Sequence, residues 1–203
     1  WVSNKPRILV VPDFLSHAEC DAIVEHANKS MVRSETAARS GKGGKSNART
    51  STQTWIMPGH PSVITAVRRF FKIVGFPEGS SEQMQVLKYQ KGEEYRPHND
   101  YFDPKAYGKQ TTNRAVTVFY YLSDVEEGGG TWFPRANNKT HTWDMTTPKC
   151  WGGFQTRPKK GSIAIFYDMS PSGQLDSASL HAGCPPIKGT KWAGTLWLRA
   201  PTV

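Results

Sequence analysis

No stretch of about 18 consecutive apolar residues occurs in this 203-residue chain, and Ile8-Leu9-Val10-Val11 is too short for a membrane span or a signal-peptide core. The chain is therefore expected to be soluble, with membrane attachment only through an anchor that would precede Trp1. Cysteine is scarce. Cys20, Cys150 and Cys184 lack the paired spacing of a zinc ribbon, and three thiols allow at most one internal disulfide, for which Cys150 with Cys184 is the expected pair. Acidic residues are outnumbered, 17 against 26 Lys and Arg, which leaves a formal net charge of +9. The surplus is concentrated in stretches such as 42–49 and 157–160. These read as solvated loops, because net charge governs solubility and encounter more than chemistry, so no nucleic-acid partner is expected. There is no H-E-x-x-H pair of the kind that serves zinc hydrolysis, and no internal repeat.

Large aromatic residues are plentiful, with seven Trp, nine Phe and seven Tyr, enough to build one core and line a cleft in a single domain spanning 1–203. Ile8 to Val11 reads as a strand. Ser16 then caps a helix in which Cys20, Ile23, Val24 and Ala27 recur at helical spacing. Residues 33–54 turn to Ser, Thr, Gly, Lys and Arg, the composition of a mobile loop; its length points to a lid or substrate-binding segment. A second helix is expected from Pro61 to Val74, with Val63, Ile64, Val67, Phe70 and Phe71 as its apolar stripe and Pro61 in its first turn. Short strand patterns follow at Met84 to Tyr89, Ala115 to Leu122, Thr131 to Phe133, Ser162 to Tyr167, Ser179 to Ala182 and Lys191 to Leu198. Two helices followed by many strands predict an α+β fold that is mainly β, a small barrel or jelly roll backed by helices.

Two positions separate His98 from Asp100, so in an extended segment both side chains project from one face. The pair alone is weak evidence. His181, at the end of a strand-like run about eighty residues later, would complete the two-histidine, one-carboxylate facial set that leaves coordination positions open, although zinc accepts the same ligands. Lys191 tips the balance. The turn-forming Gly183, Pro185, Pro186 and Gly189 lie between it and His181, and a hairpin there would bring its ammonium to the far carboxylate of a metal-chelating dicarboxylate, with Tyr89 and Thr131 as hydroxyl donors.

With these residues in place, the sequence closely resembles the prolyl 4-hydroxylase family of Fe(II)/2-oxoglutarate dioxygenases, in particular its short plant and green-algal type. The resemblance covers most of the chain. It is carried by Tyr89-Gln-Lys-Gly-Glu-Glu-Tyr95-Arg-Pro-His98-Asn-Asp100, by the run from Arg114 to Val125, by Gly128 to Pro134, by Ser179-Leu-His181-Ala-Gly-Cys184-Pro185 and by Lys191-Trp-Ala-Gly-Thr-Leu-Trp197. Ala182, Gly130 and Leu196 depart from the usual pattern. The resemblance implies a double-stranded β-helix core, iron on His98, Asp100 and His181, and 2-oxoglutarate on Lys191 with Tyr89 and Thr131. It also implies dioxygen as co-reactant, ascorbate as reductant, and a segment around Arg49 and Ser51 that closes over substrate. By the same resemblance, the expected location is the lumen of the endoplasmic reticulum or Golgi, and the protein is expected to be a monomer.

The substrate implied is a proline-rich peptide, which arrives preorganised as a polyproline II helix and favours aromatic grooves with a few donors. Tyr95, Arg114 and Trp197 are the expected groove residues, with Glu82 near the edge. The readings that remain are a 2-oxoglutarate hydroxylase of another substrate and a jelly-roll module that binds metal and peptide without catalysis.

Overall fold

The fold was analysed in a computed structural model, which describes residues 1–36, 44–45, 48–141, 150 and 152–202. In chain order the strands are β1 (Ser3–Asn4), β2 (Arg7–Val11), β3 (Val32–Arg33), β4 (Glu35–Thr36), β5 (Gly44–Lys45) and β6 (Thr52–Ile56). They continue with β7 (Met84–Tyr89), β8 (Tyr95–His98), β9 (Thr112–Tyr121), β10 (Glu127–Gly128), β11 (Thr131–Phe133) and β12 (Phe154–Thr156). The last four are β13 (Ile163–Tyr167), β14 (His181–Gly183), β15 (Pro186–Lys188) and β16 (Lys191–Pro201). Eight of them form one antiparallel sheet in the order β1-β2-β13-β9-β16-β7-β6-β3, and four form a smaller sheet, β12-β11-β14-β8. These two sheets are the jelly roll that the strand pattern predicts.

Alternation along the three central strands of the larger sheet decides where everything else sits, because successive side chains leave a strand on opposite faces. On one face, Met84 and Val86 of β7, Val116, Val118 and Tyr120 of β9, and Leu196 and Leu198 of β16 pack with the two long helices. On the other face, Gln85, Leu87 and Tyr89, Phe119, Thr195 and Trp197 line a cavity. The two long helices are α1 (His17–Asn28) and α2 (Ile64–Val74), and a third, short one is α3 (Pro104–Tyr107). Ser16 starts α1 with a capping box: its Oγ accepts from Glu19 N at 3.1 Å and its own N donates to Glu19 Oε2 at 2.8 Å. The buried face of α1 is Cys20, Ile23 and Ala27, and that of α2 is Ala66, Val67, Phe70 and Phe71. Burying each of the larger side chains contributes roughly 1.5–3 kcal/mol.

Four sequence expectations are corrected. Helix α2 begins at Ile64, and Pro61 lies in the preceding turn, where His60 O accepts from both Val63 N and Ile64 N. Ser179 belongs to a short 3-10 turn, Ser177–Ser179, capped by Asp176, so the strand starts only at His181. The segment 33–54 is less loop-like than its composition suggests. Its described part contains β4, β5 and the start of β6, and Ser34, Arg49 and Ser51 are buried; the positions 37–43 and 46–47 lie outside the described residues. His181 and Lys191 are not joined by a hairpin: β14 pairs with β8 and β11 in the small sheet, while β16 pairs with β7 and β9 in the large one. The turn residues between them carry the chain from one sheet to the other.

Candidate active site

Strand β8 ends on His98, and β14 begins on His181. The two strands are antiparallel with His181 directly opposite His98, which puts both rings on one face with centroids 4.4 Å apart. Asp100, two residues past His98, projects between them. Its Oδ1 lies 3.6 Å from His98 Nε2 and its Oδ2 3.6 Å from His181 Nε2. One ligand atom from each of the three residues falls within 4.8 Å of the others. Backbone carbonyls fix both imidazoles: His98 Nδ1 pairs with Arg96 O at 2.8 Å and His181 Nδ1 with Ser179 O at 2.9 Å. With Nδ1 donating, Nε2 carries the lone pair that faces the carboxylate.

Electrostatics keeps the three groups ready to hold a cation. Burial lowers the His181 pKa to about 4, so its imidazole is neutral at physiological pH. Burial would raise that of Asp100, but His181, His98 and the more distant Arg114 outweigh it and pull the carboxyl group well below the usual range. Tyr95 stacks on His98 at 3.6 Å and 23°, and burial pushes its phenol up to about 12, so it stays protonated.

Behind the cavity-lining Tyr89 and Phe119, Lys191 opens β16 opposite Tyr89 of β7. It is 0% exposed and is walled by the rings of Phe119, Tyr89 and Tyr121, with centroids 4.9, 5.4 and 5.8 Å from its Nζ. That nitrogen has no hydrogen-bond partner among the described residues. Burial lowers its pKa to about 7, and its charge is felt at His181. Thr131 faces the same space, bonded to Tyr121 Oη at 2.9 Å. Tyr121 is in turn 2.5 Å from Thr156 Oγ1, a buried hydroxyl cluster of which sequence reading found only Thr131.

From these groups a cavity of about 260 Å³ opens outward past Tyr95, Arg114 and Trp197 to Phe102, Tyr107 and Trp55. Arg114 lies flat on Trp197, its Cζ 3.7 Å from the ring centroid. It is also gripped by Glu82, which accepts from its Nε at 2.9 Å and its Nη2 at 2.7 Å, and from Arg199 Nη1 at 3.1 Å. Arg114 and Arg199 stand opposite each other on β9 and β16, so Glu82 separates two like charges. Glu82 is thus a brace for the groove; it does not line it.

Of the residues singled out from sequence, His98, Asp100, His181, Tyr89, Thr131, Tyr95, Arg114, Trp197 and Arg49 meet at this cavity. Arg49 lies over the Tyr95 ring at 4.5 Å and donates to Gln85 Oε1 at 2.8 Å. Ser51 is not brought there: it is 0% exposed and its hydroxyl pairs with Ser34 at 2.9 Å. The Cys150–Cys184 disulfide is present, three residues beyond His181. Sequence reading missed Trp55, Gln85, Tyr101, Phe102, Tyr107 and Thr195. Gln85 and Thr195 were discoverable, because they share alternation with Tyr89 and Trp197; Trp55 of β6 stands opposite Gln85, while Tyr101 and Phe102 arrive from the loop after β8 and Tyr107 from a short helix, which no period marks.

Fold and site together define a jelly-roll protein with a two-histidine, one-carboxylate centre facing a buried lysine. Residues 84–199 match the family model described as 2OG-Fe(II) oxygenase superfamily. Prolyl 4-hydroxylase 5 of Arabidopsis thaliana is 39% identical over 201 residues, 97% of this chain and 69% of that protein. Probable prolyl 4-hydroxylase 8 of the same plant is 37% identical, with the same coverage. Among solved structures, the viral collagen prolyl hydroxylase of Paramecium Bursaria Chlorella virus-1 in its 2OG complex superposes with a TM-score of 0.69 at 29% identity, covering 98% of this chain and 99% of that one. The chain belongs to the 2OG-Fe(II) oxygenase superfamily and, within it, to the prolyl 4-hydroxylases.

Proposed function

We propose that the protein hydroxylates peptidyl proline at C4, coupled to decarboxylation of 2-oxoglutarate to succinate and carbon dioxide. The observation that carries this is a cavity that opens into an aromatic groove, with His98 and His181 of the small sheet and Asp100 just beyond β8 in its wall, backed by the buried Lys191 of the large sheet, whose Nζ has no hydrogen-bond partner among the described residues. Two imidazoles and one carboxylate are the donor set that ferrous iron takes while keeping positions open. Zinc hydrolysis would give Lys191 no role, whereas an ammonium without a partner matches a dicarboxylate. Iron, 2-oxoglutarate and dioxygen supply the oxidising power that replaces C4–H by C4–OH, and ascorbate keeps the iron ferrous.

The chain's own residues then have distinct tasks. His98, Asp100 and His181 hold the metal at the junction of cavity and groove. Lys191 grips the distal carboxylate of 2-oxoglutarate with a charge-assisted hydrogen bond, supported by the hydroxyls of Tyr89 and Thr131. Tyr95 closes the site over His98 and excludes water. Trp197 and Arg114 form the groove wall. A proline-rich peptide in polyproline II conformation would lie against that wall, its rings on the aromatic surface.

A disulfide tying the strand that carries His181 supports a lumenal, oxidising compartment. The deciding assay incubates the protein with Fe(II), 2-oxoglutarate, ascorbate and a proline-rich peptide, and measures succinate and 4-hydroxyproline together. Both should rise only with peptide, and His98→Ala should abolish both. Succinate formation that ignores the peptide, or a product hydroxylated elsewhere, would point to another hydroxylase. Peptide binding without consumption of 2-oxoglutarate would point to a non-catalytic module.

A further inference from the structure

Behind the ligand residues lies a polar chain to which the reaction gives no task. Thr117 projects from the cavity side of β9 and is fully buried; its Oγ1 is 2.8 Å from Asp100 Oδ2 and 2.7 Å from Asp168 Oδ2. A threonine hydroxyl has one proton. It can donate to only one of the two carboxyl groups, and at the other it must accept, or two lone-pair oxygens would be pressed together in a buried site. Asp100 is the one beside two imidazoles. Asp168, just past β13 and 0% exposed, is held to β9 by its backbone, N to Ala115 O at 2.9 Å, which fixes its distance from Thr117. Burial, then the Asp100 charge, push the Asp168 carboxyl group well above the usual range. Hydrogen counting on these two distances therefore sets the order of the bonds: the proton Thr117 gives to Asp100 has to be matched by one on Asp168.

We propose that Thr117 and Asp168 are positioning residues of the metal centre: a neutral Asp168 donates to Thr117 Oγ1, Thr117 donates to Asp100 Oδ2, and this relay locks the rotation of the carboxylate that meets the ion. The inference rests on the iron reading above. Outer groups of this kind orient the ligand before the metal arrives, and losing one costs about 10–100-fold in metal affinity. Neither residue touches substrate, so the effect is read in metal binding itself.

The test is anaerobic titration of the full chain with Fe(II), and in parallel with Mn(II), alongside the melting temperature of the metal-free protein. Thr117→Val keeps the shape and removes the proton; its metal Kd should weaken about 10–100-fold, and Thr117→Ser should restore wild-type affinity. Asp168→Asn supplies an amide N–H in place of the acid O–H and should also bind as wild type, whereas Asp168→Leu should bind as weakly as Thr117→Val. If Thr117→Val does not fold, the contrast between Asp168→Asn and Asp168→Leu decides. Wild-type affinity in Thr117→Val, or equal weakening by both Asp168 variants, would overturn the relay. His98→Ala separates this from the reading beneath it. Lost affinity there with none lost in Thr117→Val sinks only the relay, while unchanged affinity in His98→Ala sinks the iron site itself.

Discussion

Lys191 illustrates how one side chain is held by the fold in an unfavourable state. Enclosed by Tyr89, Phe119 and Tyr121, its ammonium has given up water for three ring faces, and burial lowers its pKa to about 7. Only the charged form binds a dicarboxylate well. Above pH 7 the free site is therefore mostly neutral and must take up a proton on binding, so the KM for 2-oxoglutarate should rise about tenfold per pH unit above 7 and level off below it. Calorimetry at pH 8 in two buffers of different ionisation enthalpy should record nearly one proton taken up per 2-oxoglutarate bound. No uptake would mean the ammonium is already present in the empty site. Lys191→Ala should raise that KM at every pH while leaving iron affinity intact.

Glu82 works at the same scale through two neighbours. Burial raises its pKa, but the hydrogen bonds and charges of Arg114 and Arg199 outweigh that and leave it below its ordinary value. A carboxylate with a depressed folded pKa contributes stability that is complete above the unfolded pKa, about 4.3, and is lost as pH falls through the folded one. The wild-type melting temperature should fall more steeply than that of Glu82→Gln as pH drops below about 5, and parallel curves would remove Glu82 from acid stability. Arg114→Ala should raise the peptide KM roughly 10–100-fold, the cost of truncating a groove-wall residue stacked on Trp197, with little change in the KM for 2-oxoglutarate.

Among the elements, β14 is the short strand on which the site depends. It carries His181 in three residues, between the 3-10 turn and the crossover to β15, and is pinned by β8 and β11 on its two sides. The Cys150–Cys184 bridge closes a separation of 34 residues just beyond it. Loop-closure entropy for that length is about 4 kcal/mol, which at this chain size corresponds to a fall in Tm of about 10 °C. Cys184→Ser, measured by calorimetry, should show that fall, and an unchanged Tm would assign the bridge no part in stability. Helix α1 depends on a local device in the same way, and Ser16→Ala should cost about 1 kcal/mol.

At the scale of the whole molecule, the proposed metal and cosubstrate sites draw on both sheets. On the proposed function, His98 and His181 of the small sheet with Asp100 would hold one end of the ligand set and Lys191 of the large sheet the other, so ligand would bind the folded chain and not the unfolded one. Saturation at about 100 times Kd should stabilise the protein by roughly 2.7 kcal/mol, a rise in Tm of about 5–10 °C. Either ligand set alone should give less, and Lys191→Ala should abolish the 2-oxoglutarate increment in a thermal-shift measurement. Equal shifts in wild type and Lys191→Ala would place the dicarboxylate elsewhere.

Spacing and alternation in the sequence determined much of this. His98 and Asp100 share a face because they are two apart, the helix of Ser16 is written in its cap and apolar stripe, and the strands from Met84 to Leu198 follow period 2 and turn residues. These are local rules, so one dimension suffices to express them. What the tertiary structure alone decided is which sheet each strand joined. It set His181 and Lys191 on opposite sheets, where the sequence allows a hairpin equally well. It turned Ser51 onto Ser34 and away from the cavity, and it brought Phe102 into the groove from a loop and Tyr107 from a short helix. It also seated Thr117 between two carboxyl groups 51 and 17 residues away in the chain. Such pairings come from closing two twisted sheets around one cavity, a constraint shared by the whole chain and inscribed in no segment of it.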